Sequence, residues 1–154
     1  MPLYGVTKTF GHELGLSVCF RQHRAESHCH HLHGYALSVE LKFAAQSLNE
    51  MNWVVDFGAL AHVKDYLRKM FDHTLLVAKD DPHIEQLMQL HRTGVAQVYV
   101  VERVGCEAFA EMVAQEVSKW LRDTGYHPRV FLGAATVAEH GANSATYIGD
   151  PDVL

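Results

Sequence analysis

Cysteine is scarce in this chain. Its 154 residues contain three, Cys19, Cys29 and Cys106, an odd number that cannot all pair, so free thiols in a reducing compartment are expected. Long apolar runs are missing too: none approaches the roughly 20 residues that span a bilayer. The opening stretch MPLYGVTKTFGHELG has no basic flank followed by an apolar segment. No secretory signal is expected, and the chain is read as cytoplasmic. Nor is one sign of charge in large excess. Thirteen Lys and Arg against eighteen Asp and Glu leave a net charge of −5, which gives no support to a nucleic-acid or membrane-surface role. No internal repeat, low-complexity tract or linker interrupts the chain. With 48% hydrophobic and 20% charged residues, it reads as one soluble domain over 1–154 with a real core.

Histidine is what the chain has in abundance, 12 in all, and six of them (His12, His23, His28, His30, His31, His33) fall between residues 12 and 33. Residues 28–35 read His-Cys-His-His-Leu-His-Gly-Tyr. Imidazole and thiolate are the strongest side-chain ligands for zinc-like metals and the readiest proton carriers near neutral pH. His31 and His33 lie two apart, so in extended backbone both imidazoles share a face beside Cys29 and Tyr35. A third ligand must come from elsewhere, with His23 and His28 nearest; three ligands leave the fourth zinc position open for chemistry.

Periodicity places these residues on elements. Residues 3–10 and 16–22 read as a hairpin turning at Gly11 to Gly15. Leu37, Val39, Leu41 and Phe43 alternate with Ala36, Ser38, Glu40 and Lys42, a half-buried strand. Residues 52–57 start extended, and Asp56 then caps a helix over 57–71 with Leu60, Val63, Leu67, Met70 and Phe71 on one stripe. A short helix over 81–93 ends at Gly94, and 95–101 is a strand. Residues 105–121 form the second main helix, with Phe109, Met112, Val113, Val117, Trp120 and Leu121 on its apolar face. Strands over 129–138 and 144–148 close the chain. The order predicts an α+β fold: an antiparallel sheet with two main helices packed on one face.

Five short motifs follow in order: Cys29-x-x-Leu32-His33-Gly34, Trp53-Val-Val-Asp56-Phe57-Gly58, Phe71-Asp72-His73, Glu107-Ala-Phe-Ala110, and Glu139 with Tyr147. Together they resemble the 6-pyruvoyltetrahydropterin synthase / 6-carboxytetrahydropterin synthase family, whose pattern runs Cys-x-x-Leu-His-Gly-His, Gly-(Trp/Met)-Val-x-Asp-Phe, Leu-Asp-His, Pro-Thr-x-Glu-Asn-Leu-Ala and a strand ending in Glu. The resemblance implies a tunnelling fold (T-fold), with subunits joined through their sheets into trimers and hexamers and the active site between subunits. It implies a zinc-dependent lyase that converts 7,8-dihydroneopterin triphosphate to 6-carboxy-5,6,7,8-tetrahydropterin, with loss of acetaldehyde and triphosphate, on the way to queuosine. The alternatives are a 6-pyruvoyltetrahydropterin synthase, another pterin lyase or aldolase, or a non-catalytic T-fold protein that binds a pterin or purine.

The same resemblance gives roles to residues. Cys29 matches the thiolate base, Asp72 and His73 the acid/base pair on the opposite face, and Glu139 the carboxylate on the pterin's guanidine-like edge. Glu107 matches a residue lining the pterin pocket, and His33 matches a zinc ligand. Zinc would serve as Lewis acid and template for the side-chain hydroxyls. Two positions depart from the pattern. Tyr35 stands where a second strand histidine is expected. The early ligand histidine corresponds either to His23 or, through the strand LSVCF, to Phe20. The expected ligand set is therefore His31 and His33 with His23 or His28. Lys8, Arg21 and Arg24 are candidates for the triphosphate. The segment 80–104, longer than compact family members need, either extends a sheet edge or covers the pocket mouth.

Overall fold

The computed structural model describes residues 3–149. Its elements are β1 (Tyr4–Phe10), β2 (Leu16–Phe20), β3 (His33–Ala45), α1 (Ala61–Phe71), β4 (Thr74–Ala78), α2 (Ile84–Arg92), β5 (Gln97–Val101), α3 (Cys106–Asp123), β6 (Val130–His140) and β7 (Asn143–Ile148). The sheet runs β5-β4-β2-β3-β6-β7, with β1 also paired to β3. The α+β class is as expected, with α1 and α3 sharing one face of the sheet.

β3 organises the molecule. The alternation read over 35–43 holds: Leu37, Val39, Leu41 and Phe43 are fully buried on the helix side. At 13 residues, β3 is long enough to pair with two successive strands along one edge. It does so, and the expected hairpin does not form. β1 lies antiparallel to the second half of β3 (Tyr4↔Ala45 to Phe10↔Val39). β2 lies antiparallel to its first half (Leu16↔Leu37 to Phe20↔His33). Between them, His12–Leu14 make a 3-10 turn ending at Gly15 in the left-handed region (φ 74°). The His12 imidazole donates from Nδ1 to the Ala36 carbonyl and pins the excursion to β3. Burying Phe10, Leu16, Val18 and Phe20 against the helices outweighs a local hairpin, which would pair β1 and β2 only with each other.

The helices share one core. Phe109 of α3 meets Phe20 of β2 edge-on at 5.1 Å and Phe71 of α1 at 5.3 Å. The helix expected over 57–71 is a 3-10 turn at Phe57–Leu60 followed by α1. Asp56 caps it as expected, accepting from the Gly58 N–H at 2.8 Å. Residues 52–56 are bends and irregular backbone rather than strand, although Val54 and Val55 are buried.

The sheet is mixed, not wholly antiparallel. β4, which the sequence pattern did not reveal, is buried at every position and pairs parallel to both β2 and β5. A five-residue apolar strand covered on both faces has no alternation to read. Leu76 and Ala78 point to the α1/α3 core, whereas Leu75 and Val77 join Val98 and Leu87 of α2 in a second cluster that includes Cys19. α2 thus covers the opposite face, a departure from helices on one side only. The 80–104 segment supplies α2 and β5 and extends the sheet edge. No helix among the described residues is long and apolar enough to cross a membrane.

Candidate functional site

The foot of β3, the end of β6 and the start of α3 meet at one end of the sheet. The chain reaches this point through residues 21–32, a loop held by directed hydrogen bonds. The Gln22 backbone N–H donates to the Cys29 carbonyl at 2.9 Å. Its side-chain Nε2 donates to the Val104 carbonyl at 2.8 Å, just ahead of α3. Arg21 Nη1 donates to the His30 carbonyl at 3.0 Å. Ser27 caps the 3-10 turn His28–His30, its hydroxyl accepting from the Cys29 N–H. These bonds seat half-buried Cys29 where β3 begins.

His33 opens β3 on the helix side. Its Nδ1 donates to the His31 carbonyl at 2.8 Å. A carbonyl only accepts, so Nδ1 carries the proton and Nε2 is left as the free nitrogen. Tyr35 follows on the same face, its ring 5.5 Å from His33 and 6.1 Å from His140. Burial pushes the Tyr35 phenol up, and the Glu139 charge adds to it.

Glu139 sits where the β6–β7 register slips between Ala138 and His140. It is the extra residue of a β-bulge, a device that re-aims a side chain. Cys106, the first residue of α3, lies against it. Burial pushes the Cys106 thiol up to about 12, followed by the charges of Glu139 and Glu107. Cys106 is therefore a neutral thiol beside Glu139 at physiological pH. Sequence reasoning missed this contact, because β6 and α3 meet only in the fold. Exposed Glu107 stands in the first turn of α3, where the helix dipole favours a carboxylate.

Asp72 and His73 form a second group. His73 takes φ 56°, a left-handed conformation uncommon outside glycine, and its N–H donates to the Ser17 carbonyl at 2.7 Å. This turn makes sequence neighbours face each other, with His73 Nδ1 2.5 Å from Asp72 Oδ1. The imidazole is 87% exposed and open to a second molecule. No hydrogen bond or ion pair among the described residues joins this dyad to Cys29.

The expected metal ligands do not come together. His23 turns to Asp80 at 3.1 Å. His31 is exposed, its ring tilted against that of His30 at 4.0 Å, and His28 is exposed as well. Phe20, not His23, lies opposite His33 in the strand register. Among the described residues no three His, Cys, Asp or Glu side chains are arranged to hold a metal ion. Phe20, His33 and Tyr35 supply one imidazole between them and do not fit a three-imidazole zinc centre. The triphosphate candidates are also engaged: Arg21 with Asp81, Arg24 with Asp80 at 2.7 Å, and Lys8 over the rings of Phe10 and Phe57.

A sheet with two main helices packed on one face is the T-fold architecture, and here thiol, imidazole and carboxylate side chains gather at its strand ends. The family model described as 6-pyruvoyl tetrahydropterin synthase matches residues 10–150, and the chain belongs to that family of pterin lyases. It is 31% identical over 99 residues to a 6-carboxy-5,6,7,8-tetrahydropterin synthase of Rickettsia bellii, covering 62% of this chain and 71% of the relative. It is 25% identical over 158 residues to the Aquifex aeolicus enzyme of the same name, covering 92% and 96%. Two solved structures share the fold. An uncharacterized protein of Wolinella succinogenes superposes with a TM-score of 0.82 at 17% identity, over 97% of this chain and 100% of that one. The 6-pyruvoyl tetrahydropterin synthase of Plasmodium vivax superposes with 0.68 at 12% identity, over 96% and 98%.

Proposed function

We propose that this chain converts 7,8-dihydroneopterin triphosphate, with uptake of water, to 6-carboxy-5,6,7,8-tetrahydropterin, acetaldehyde and triphosphate, a step toward queuosine in the cytoplasm. The observation that carries the reading is that half-buried Cys29 at the foot of β3 and Glu139 in the β6 bulge lie at the same end of the sheet, with the Tyr35 ring 6.1 Å from that of His140 beside the bulge. The Glu139 carboxylate accepts two N–H bonds from the amidine-like edge of the pterin, the two-point pairing that fixes ring orientation. Cys106, a neutral thiol, adds no charge beside that carboxylate. Cys29, at the side-chain end of the pocket, removes a carbon-bound proton from the substrate side chain. Asp72 fixes the tautomer of His73, which moves protons on the other face.

Because His73 projects outward, it serves the pocket of a neighbouring copy. The outer edges of β1 and β7 carry no strand partner among the described residues, and such edges pair readily with another chain. These free edges support a homo-oligomer joined through its sheets, and the proposed assembly is a hexamer. No step is routed through a metal, since the side chains at the family's ligand positions do not supply one.

Incubation with dihydroneopterin triphosphate and mass identification of products tests this. Carboxy-tetrahydropterin with acetaldehyde supports it. A different pterin product reassigns the chain to another lyase on the same substrate, and unchanged substrate reduces it to a pterin-binding protein.

A further inference from the structure

Three aromatic side chains close around one point. Phe20 stands directly across from His33 in the β2–β3 register, and Tyr35 follows His33 on the same face. Ring centroids are 5.0 Å apart for Phe20–His33, 5.5 Å for His33–Tyr35 and 6.2 Å for Phe20–Tyr35. His33 and Tyr35 stand where the family pattern places its two strand histidines, and Phe20, across from His33 in the register, is one of the two candidate counterparts of its early histidine. Phe20 is 1% exposed and offers no lone pair, so a divalent cation at this point would lose water without gaining a ligand on that side. His33 is left as the single imidazole with a free Nε2. His23, the alternative ligand, is drawn away by Asp80 on the 80–104 segment.

We propose that this chain has replaced the metal centre of its family by an aromatic one. Phe20 and Tyr35 fill the volume of two imidazoles, and the Tyr35 hydroxyl donates to a side-chain oxygen of the bound pterin in place of the cation. The phenol is suited to this by position, its ring lying 5.5 Å from that of His33 and 6.1 Å from that of His140, the neighbour of Glu139 in the β6 bulge. The Tyr35 role rests on the pterin reading above; the metal-free character does not.

The two halves are tested separately. The chain is expressed without a histidine tag in zinc-supplemented medium, passed through gel filtration, and its metal counted per chain by mass spectrometry. Wild type is expected to hold no stoichiometric zinc, and EDTA to leave its melting temperature unchanged. Restoring the imidazoles in Phe20→His/Tyr35→His is expected to give about one zinc per chain, lost again when His33→Ala is added. About one zinc in wild type that disappears in His33→Ala overturns the proposal, and so does a fall in wild-type melting temperature with EDTA. The wild-type measurements decide even if the double variant folds poorly.

For Tyr35, fluorescence titrations compare neopterin, which has side-chain hydroxyls, with pterin, which has no side chain. Tyr35→Phe is expected to weaken neopterin binding about tenfold and leave pterin binding unchanged. Equal loss for both ligands, or loss for neither, overturns the Tyr35 role. If wild type binds neither, the pterin reading fails and the Tyr35 role with it, while the metal counts still decide the first half.

Discussion

Replacing Arg21 by methionine removes the guanidinium that fastens the 80–104 segment to the end of β2. Nε and Nη2 each donate at 2.8 Å to one oxygen of Asp81, which is 3% exposed. Without Arg21, the Asp81 carboxylate keeps the His83 backbone N–H at 2.8 Å and little else. Removing one partner of a buried pair costs about 3–5 kcal/mol, because the other charge is left uncompensated. The surviving His83 bond favours the low end, about 3 kcal/mol, which for a chain of this size lowers Tm by about 6–12 °C.

The pH dependence is a second signature. The Arg21 hydrogen bonds, then the His83 N–H, hold the Asp81 carboxyl below its ordinary 3.8 against the opposing effect of burial. A carboxylate depressed in the folded state contributes stability in full above its unfolded pKa and loses it as pH falls through the folded value. The gap between wild type and Arg21→Met is therefore widest above about pH 4 and closes below it. Urea unfolding followed by circular dichroism from pH 2 to 7 measures both. A gap under about 1 kcal/mol at pH 7, or one that does not narrow in acid, refutes the reasoning. Arg21→Met/Asp81→Leu, which removes both charges, is expected to recover most of the loss. Because Arg21 also holds the His30 carbonyl, Arg21→Met should alkylate faster at Cys29.

Phe109→Ala, which empties a fully buried site between Phe20 and Phe71, should cost about 3–5 kcal/mol by urea unfolding. Gly34→Ala places a Cβ 2.5 Å from the Val18 carbonyl oxygen, a backbone atom. It should force β2 from β3 at a cost of about 2 kcal/mol or more, with amide exchange rising at residues 18–20. The Cys106 thiol, raised from 9.0 to about 12, should resist iodoacetamide at pH 8 while Cys29 reacts. Its raised value contributes stability below pH 9 that is lost as pH rises toward 12, a decline that Cys106→Ala should flatten in alkaline melts. Asp72→Asn should lower turnover by about 10²–10⁴ with the melting temperature nearly unchanged; a collapse of stability instead would make the dyad structural.

Periodicity and residue type were enough for β3, α3, the Asp56 cap and the end of α2 at Gly94, because each is a local pattern facing one core. Motif order was enough for the family, since Cys29, His33, Asp72, His73 and Glu139 keep their sequence order whatever the sheet does. The rest depended on contacts between residues distant in the chain. The Gly11–Gly15 segment has the composition of a hairpin turn, and only the length of β3 makes pairing both flanking strands along one edge the better burial. β4 carries no alternation because both its faces are covered. Cys106 and Glu139 are 33 positions apart in the chain, and their contact exists only where α3 starts beside the β6 bulge. The histidine-rich segment divides the two kinds of knowledge most clearly. Its composition alone pointed to chemistry at this place, because imidazole and thiol have few other reasons to cluster. Which side chains face one another there was decided by the β2–β3 register and by Asp80, which together put Phe20 beside His33 and take His23 away.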